Sequence, residues 1–216
     1  MAGASILTCL LAYNIFMRNA YKKGLSDNLS QYVPIVLKNM KVLKLNHTYD
    51  VSFVYGPEYK VTVDRAYKDS LGVNYQGDTL SLDLNKAADV TIYLPTLPQI
   101  KVVTETKKRN RWNKAITING RNFKNQTLDI SFQEDGILNL SGVDFDAINI
   151  STPKKLFLEM GDINTKNLKI VGGKKSELTL NQCTILNNDI VLGDSSKIRT
   201  SQLVSGVVNK SLVKNN

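Results

Sequence analysis

The feature of this sequence that most constrains its fold is a short phrase that recurs at nearly regular intervals. Residues 138–150 read LNLSGVDFDAINI, with apolar side chains at alternate positions on both sides of a glycine. Related phrases follow at 156–170, LFLEMGDINTKNLKI, and at 178–192, LTLNQCTILNNDIVL. Alternation with a period of two is typical of half-buried β-strands, and a repeat of roughly 20 residues is typical of stacked structural units. The sequence therefore predicts an all-β fold built by repetition.

The repeat divides into three short strands per unit. The first apolar pairs are Leu138/Leu140, Leu156/Leu158, Leu178/Leu180 and Ile198/Thr200, whose residue numbers increase by 18, 22 and 20 in turn. A middle element (Val143/Phe145, Met160/Ile163, Cys183/Ile185) and a second pair (Ile148/Ile150, Leu168/Ile170, Ile190/Leu192) follow. Three strands in about 20 residues predict a right-handed single-stranded β-helix, or β-solenoid, whose coils stack about 4.8 Å apart.

This interpretation assigns six side chains of the first unit to the core: Leu138, Leu140, Val143, Phe145, Ile148 and Ile150. Asparagines beside the apolar pairs would occupy left-handed corners and form ladders between coils: Asn139, Asn149, Asn167, Asn181 and Asn188. An antiparallel β-sandwich also contains many short strands and is the alternative.

Two hairpins are predicted before the repeats. The strand patterns at 49–55 and 59–63 flank Gly56-Pro57-Glu58, and those at 71–75 and 79–84 flank Gln76-Gly77-Asp78. Glycine and proline between alternating segments are typical of turns that join paired strands. The predicted β-solenoid is therefore preceded by β-hairpins.

The N-terminal residues 1–23 are predicted to form a hydrophobic helix. An uncleaved membrane anchor is favoured, and a cleaved signal segment or a buried core helix is the alternative. The apolar face of this segment includes Ala2, Leu7, Leu10, Leu11, Ile15 and Phe16. Basic residues follow the apolar run rather than precede it, so the positive-inside rule would leave the body in the cytoplasm. An extracytoplasmic body is favoured, and the cytoplasmic orientation stays open. The remaining divisions are a linker at 24–40, the β domain at 41–210 and a tail at 211–216.

Composition excludes several kinds of site. His47 is the only histidine and the two cysteines form no C-x-x-C motif, so the usual zinc and copper sites are excluded and no cofactor is predicted. The formal charge of +9 favours contact with polyanions such as anionic glycans. No recognised nucleic-acid-binding motif is present, and nucleic acid is not an expected partner.

Two local clusters are candidate sites. The segment KKRNRWNK places Lys107, Lys108, Arg109, Arg111, Trp112 and Lys114 together, which could hold an anionic polymer while the indole stacks on a sugar; the alternative is a solvated loop. Asp144 and Asp146 share the outer face of one strand, about 6.6–7 Å apart. They could serve glycoside hydrolysis, or bind calcium with Asp162, but an exposed pair lacks the raised pKa of a general acid.

Several stretches together resemble the head GIN domain family of auto-transporter adhesins from Bacteroidota. They are LLAYNIFMRNAYKKG, YDVSFVYGPEYKVTVD, GDTLSLDL, DVTIYLPTLPQIKV and the LNLSG and LTLNQC repeats, and they cover about residues 10–210. The chain departs from the family pattern at HTYDVSF and at the basic insertion TETKKRNRWNK. The resemblance implies an exported, surface-associated β-solenoid with an adhesive or scaffolding role, and it supplies no catalytic residues.

The predicted function is therefore a non-enzymatic, membrane-anchored or exported β-solenoid that acts as a surface scaffold or adhesin-like binding module. Its expected partners are the membrane, through the N-terminal segment, and an anionic glycan or a surface protein. The alternative is a carbohydrate-active enzyme on a β-helix, a glycan hydrolase or lyase that uses Asp144 and Asp146. A cytoplasmically oriented membrane protein that regulates a partner is a third hypothesis.

Overall fold

The computed structural model describes residues 31–46, 51–84, 90–103, 116–119, 122–123 and 126–201. The described part is all-β, with 72% of residues in strands and 5% in helix. The chain divides after Val33, and the architecture below belongs to residues 34–216. The predicted N-terminal helix at 1–23 and the tail at 211–216 lie outside the described residues. No helix among the described residues is long and apolar enough to cross a membrane.

Fourteen strands of the described ranges form one curled sheet. They are β1 (Tyr32–Val36), β2 (Val42–Asn46), β3 (Val51–Tyr55), β4 (Lys60–Asp64), β5 (Gly72–Gln76), β6 (Thr79–Asp83), β7 (Val90–Leu94), β8 (Gln99–Val103), β9 (Ile116–Asn119), β10 (Gln126–Phe132), β11 (Gly136–Ser151), β12 (Leu156–Gly172), β13 (Glu177–Leu192) and β14 (Lys197–Ser201). A 3-10 helix, Arg65–Ser70, follows β4, and the Asp64 side chain caps it by accepting a hydrogen bond from the Ala66 N–H at 2.9 Å.

The repeats pair in parallel at a constant offset, because each residue lies opposite the one whose number is higher by 20. Leu138 lies opposite Leu158, and Leu158 lies opposite Leu178. The paired register of β11 and β12 is interrupted at 142/162 and 146/166, which divides each long strand into three stretches. Parallel pairing between successive units is the arrangement that the repeat predicted, and it contradicts the antiparallel sandwich.

The unequal offsets predicted from the first apolar pairs are wrong. Leu156 lies opposite Gly136, and Leu192 lies opposite Gly172, so each leucine extends the apolar alternation by one step relative to the preceding repeat. Met160 pairs with Leu140 in the first stretch rather than with the middle element. Leu156 and Leu192 are both buried at the ends of β12 and β13, so a leucine continues the apolar alternation where the preceding repeat has a glycine.

The six core positions assigned to the first unit are confirmed, because each is at most 2% exposed. In the next unit the position of Phe145 is taken by Thr165, which is also 2% exposed. The Thr165 hydroxyl donates to the Asn167 carbonyl at 3.2 Å, which satisfies the buried polar group. Core positions therefore tolerate a polar residue where the backbone supplies a partner.

The left-handed corners do not carry the asparagines predicted for them. One corner recurs at Gly142, Asp162 and Gln182, with φ of 61°, 55° and 52°. Asparagine ladders do occur elsewhere, since the Asn187 Nδ2 donates to the Asn167 Oδ1 at 3.2 Å across adjacent units. Glycine relieves the steric cost at the first corner, whereas aspartate and glutamine adopt it in the next two units.

Residues before the repeats follow a different order from the one predicted. β7 lies between β3 and β4, in parallel with β3 and antiparallel to β4, so the predicted hairpin around Pro57 is wrong. The hairpin of β5 and β6 is confirmed, with Gly77 at φ 58° in its two-residue turn. β2 is likewise flanked in parallel by β6 and β8. One apolar core extends from Leu37 to Leu192 beneath these strands.

A candidate ligand-binding face

The candidate site is a row of polar side chains that crosses the outer face of the sheet. Alternation buries Leu43 and Leu45 on β2 and Ile100 and Val102 on β8, and it directs the residues between them to solvent. Registers across the neighbouring strands place five outward residues side by side, one per strand: Ser81, Lys44, Lys101, Ser131 and Ser151. These five residues are called the lysine–serine row below.

A shallow cavity of about 200 Å³ adjoins the serine end of this row. Its polar lining comes from the four strands β8, β10, β11 and β12: Gln99, Asp129, Ser131, Asn149, Ser151 and Lys169. The Asn149 Nδ2 donates to the Asp129 Oδ1 at 2.5 Å, which holds both side chains in place. Val171, 38% exposed, adds an apolar surface. Amide, hydroxyl and carboxylate groups beside an apolar patch are suited to the hydroxyl and C–H groups of a sugar.

Ion pairs between adjacent units cover much of the remaining outer surface. Lys166 lies 2.7 Å from Asp146, Lys174 lies 3.7 Å from Asp194, and Lys169 lies 4.0 Å from Asp189. In each pair the two residues come from successive units, because the register places them on neighbouring strands or turns. The Asp146 carboxylate, helped by Asp144, raises the pKa of Lys166. Each of these exposed pairs contributes little to the free energy of unfolding. Together they place opposite charges next to each other on successive repeats.

Asp144 and Asp146 have structural partners in this arrangement. Asp146 pairs with Lys166, and the Asp144 Oδ1 accepts a hydrogen bond from the Asn164 Nδ2 at 3.3 Å. The geometry therefore shows both carboxylates in contact with the next repeat. Within the described ranges, which include Asp162, no group of three or more histidine, cysteine, aspartate or glutamate side chains is assembled that could hold a metal ion.

The predicted basic cluster lies outside the described residues. Lys107, Lys108, Arg109, Arg111, Trp112 and Lys114 belong to the undescribed stretch 104–115, which follows β8 in the chain. The predicted membrane-segment residues Ala2, Leu7, Leu10, Leu11, Ile15 and Phe16 also lie outside the described part. Both assignments stay predictions.

Sequence reasoning missed Lys44 and Lys101. The available signal was a lysine flanked by apolar residues in each of two strand patterns, LKL at 43–45 and IKV at 100–102. These lysines are far apart in the chain, and the register of β2 with β8 brings them together. The sequence pattern identifies each outward lysine but not its neighbour, because pairing order in this half of the chain departs from chain order.

Comparison with solved structures finds several bacterial proteins of low sequence identity. A candidate adhesin from Bacteroides fragilis is 12% identical, with a TM-score of 0.45 over 81% of this chain and 94% of that one. A candidate adhesin from Parabacteroides distasonis is 11% identical, with a TM-score of 0.37 over 84% and 94% of the two chains. A candidate cell adhesion protein from Clostridium sporogenes is 11% identical, with a TM-score of 0.36 over 80% and 99%.

No protein-family model matches the chain, and no curated protein matches it. The resemblance to the head GIN domain family therefore stays a prediction from the sequence motifs.

Proposed function

We propose that this protein is a non-enzymatic binding module of the cell surface, built as a right-handed β-solenoid and adhesin-like in its action. The observation that carries the proposal is the polar outer face, where parallel strands align side chains from separate parts of the chain into rows. A rigid row of this kind offers repeated contacts to an extended polymer without a deep pocket. The N-terminal segment at 1–23 would attach the module to the membrane on the extracytoplasmic side.

The β-solenoid part of the proposal is supported by the constant register that relates β11, β12 and β13. Each unit contributes a matching inward residue to the same position of the core, as Val143, Ile163 and Cys183 do. Stacked units of this kind bury surfaces that no single unit could bury alone. The result is a stiff frame whose outer face is free for binding.

Two surfaces are proposed to bind ligand. One is the lysine–serine row with its adjoining cavity. The other is the basic cluster at Lys107, Lys108, Arg109, Arg111, Trp112 and Lys114, which follows β8, the strand that bears Lys101. An anionic glycan or a surface protein would suit both, because both present positive charge.

Binding of the full-length protein to an array of polysaccharides and surface proteins tests the function. Label-free binding of the immobilised protein is expected for at least one polymer, and the Phe145→Asp variant, in which a charge replaces a buried ring, is the unfolded control. The same incubation mixtures are analysed for shortened or unsaturated glycan products. Turnover that disappears in the Asp144→Asn/Asp146→Asn variant would contradict a non-enzymatic module, as would an absence of binding to every polymer and protein.

Protease accessibility of the intact cell tests the proposed orientation. A body outside the cytoplasm is digested by added protease once the outer barrier is permeabilised and the inner membrane is left intact. Digestion only after lysis of the inner membrane would support the cytoplasmic orientation.

A further inference from the structure

Lys44 and Lys101 form an unusual pair on the outer face. They are directly opposed in the parallel register of β2 and β8, about 4.8 Å apart between strands. Alternation directs both side chains outward, because the residues on either side of each lysine are buried. Like charges directly opposed across a strand pair are destabilising, so this arrangement reduces the stability of the folded state.

Elsewhere on the described outer face several lysines are paired with carboxylates instead. Lys166, Lys169 and Lys174 each lie next to a carboxylate on the neighbouring strand or turn. Within the described residues, neither Lys44 nor Lys101 has an ion pair with a carboxylate. Their neighbours in the row are the uncharged Ser81 and Ser131. The positive charge of the row is thus concentrated at these two adjacent lysines, with serine hydroxyl groups on both sides.

We propose that the lysine–serine row binds an acidic polysaccharide, with a sugar carboxylate or sulfate held between Lys44 and Lys101. This inference rests on the proposed binding function and names its ligand class and its site. Two ammonium groups can donate charge-assisted hydrogen bonds to one anionic group, and the anion removes the repulsion between them.

The remaining part of the row fits the uncharged groups of the same polymer. From Lys44 to Ser151 the row crosses three strand spacings, roughly 14 Å, which is enough for a short oligosaccharide. The hydroxyl groups of Ser131 and Ser151 and the amide of Asn149 offer donors and acceptors to sugar hydroxyls. Asp129 lies beside Ser131 in the cavity. Its negative charge disfavours an acidic sugar group near the serines, so the acidic group of the polysaccharide is placed at the lysines.

The test measures the affinity of the full-length protein for polygalacturonate and for its fully methyl-esterified form, which has the same backbone without charge. Dextran sulfate and uncharged dextran form a second arm that distinguishes sulfate from carboxylate. The wild-type protein is expected to bind a charged polymer and not its uncharged counterpart, and its affinity should fall as salt concentration rises. Lys44→Gln/Lys101→Gln should lose binding by roughly tenfold or more per lysine, because each charge-assisted hydrogen bond contributes on that scale.

The matched control is Lys68→Gln/Lys197→Gln, which removes the same charge from exposed lysines outside the row. It is expected to keep wild-type affinity within about twofold, since net charge alone contributes only a screened long-range effect. The Lys44→Gln/Lys101→Gln protein should also melt at a slightly higher temperature, because the opposed charges are gone. A gain in stability with loss of binding would distinguish a ligand site from a structural role.

Unchanged affinity for the charged polymer in Lys44→Gln/Lys101→Gln would overturn the assignment of the site. Equal loss in the two double variants would assign binding to net charge and would also overturn it. Binding to the array described above without any preference for charged over uncharged polymer would refute the acidic-polysaccharide inference and leave the binding-module function standing.

Discussion

Phe145 and Asp144 are adjacent in the chain and differ completely in what they contact. Phe145 is 2% exposed inside the core, whereas Asp144 lies on the outer face beside Asn164. Phe145→Ala is expected to lower the free energy of unfolding by about 3–5 kcal/mol, through lost burial and the cavity left behind. Asp144→Asn should change it by less than about 0.5 kcal/mol. Chemical denaturation measures both, and the reverse order of effects would contradict the assigned register.

Glu177 provides a pH-dependent contribution to stability. Its carboxylate lies 3.1 Å from the Lys155 Nζ, and this hydrogen bond and charge lower the pKa of Glu177. A lowered pKa in the folded state stabilises the fold above the ordinary pKa of glutamate, and the contribution is lost as the pH falls through the folded value. Glu177→Gln should therefore melt below the wild type at neutral pH, and the difference should shrink in acid.

Glu159→Gln is the control for that experiment, because it removes the same charge from an exposed side chain on β12. It is expected to show a smaller difference from the wild type at neutral pH. Melting curves recorded from acid to neutral pH give both comparisons. A pH-independent difference for Glu177→Gln would exclude the ion pair as its cause.

At the scale of the element, Gly161 and Gly173 belong to the same repeat and differ in the space available for a Cβ atom. A Cβ at Gly173 would lie 2.5 Å from the Lys154 carbonyl oxygen, which is backbone and cannot move aside. A Cβ at Gly161 would meet nothing within 4 Å. Gly173→Ala should cost about 1–3 kcal/mol, whereas Gly161→Ala should be neutral or stabilise by up to about 1 kcal/mol. Equal effects in thermal melts would mean that the turn at Gly173 is looser than described.

Two serines hold the turns at Gly173 and Gly193, which occupy equivalent positions in successive repeats. The Ser176 Oγ donates to the Gly173 carbonyl at 2.7 Å and accepts from the Leu156 N–H at 3.0 Å. Ser196 repeats both interactions in the next unit, with Gly193 at 2.6 Å and the Ser176 N–H at 3.0 Å. Each hydroxyl donates a hydrogen bond within its own turn and accepts one from a backbone N–H of the preceding repeat. The sequence shows these serines, but it does not show which backbone groups they satisfy.

The strands themselves were largely predictable from alternation, and their partners only where the repeat is regular. In the repeats, chain order equals stacking order, so the inward positions from Leu138 to Ile150 follow from the period alone. Before the repeats, β7 lies between β3 and β4 and β2 lies between β6 and β8. Local patterns contain no information about such non-local insertion, which is why the hairpin around Pro57 was mispredicted.

At the scale of the whole molecule, the binding face depends on this non-local order. Lys44 and Lys101 come from β2 and β8, which β3 to β7 separate in the chain, and the serines that extend their row come from β10 and the end of β11. A single apolar core, continuous from Leu37 to Leu192, holds these strands at fixed spacing. The candidate face could therefore not be predicted from any one segment, because it exists only when strands that are distant in the chain pair with one another.

The stacking register of the repeats is the central claim, because the shared core positions and the ion pairs of β11 to β13 follow from it. Lys169 faces Asp189 directly, and the spacing of one strand places their Cα atoms within disulfide range. Val191 is displaced by two further residues along the strand, which puts it roughly 8 Å from Lys169 and beyond that range. Burial raises the pKa of the native Cys183 thiol, so it reacts slowly and interferes little.

The most direct measurement is disulfide formation, in a Cys9→Ser background, by Lys169→Cys/Asp189→Cys compared with Lys169→Cys/Val191→Cys. Mild oxidation followed by mass spectrometry of non-reduced peptides gives the yield of each cross-link. The constant register predicts rapid, near-complete cross-linking of 169 with 189 and little of 169 with 191. Preferential cross-linking of 169 with 191 would contradict the register, and with it the stacking of successive repeats at a constant offset.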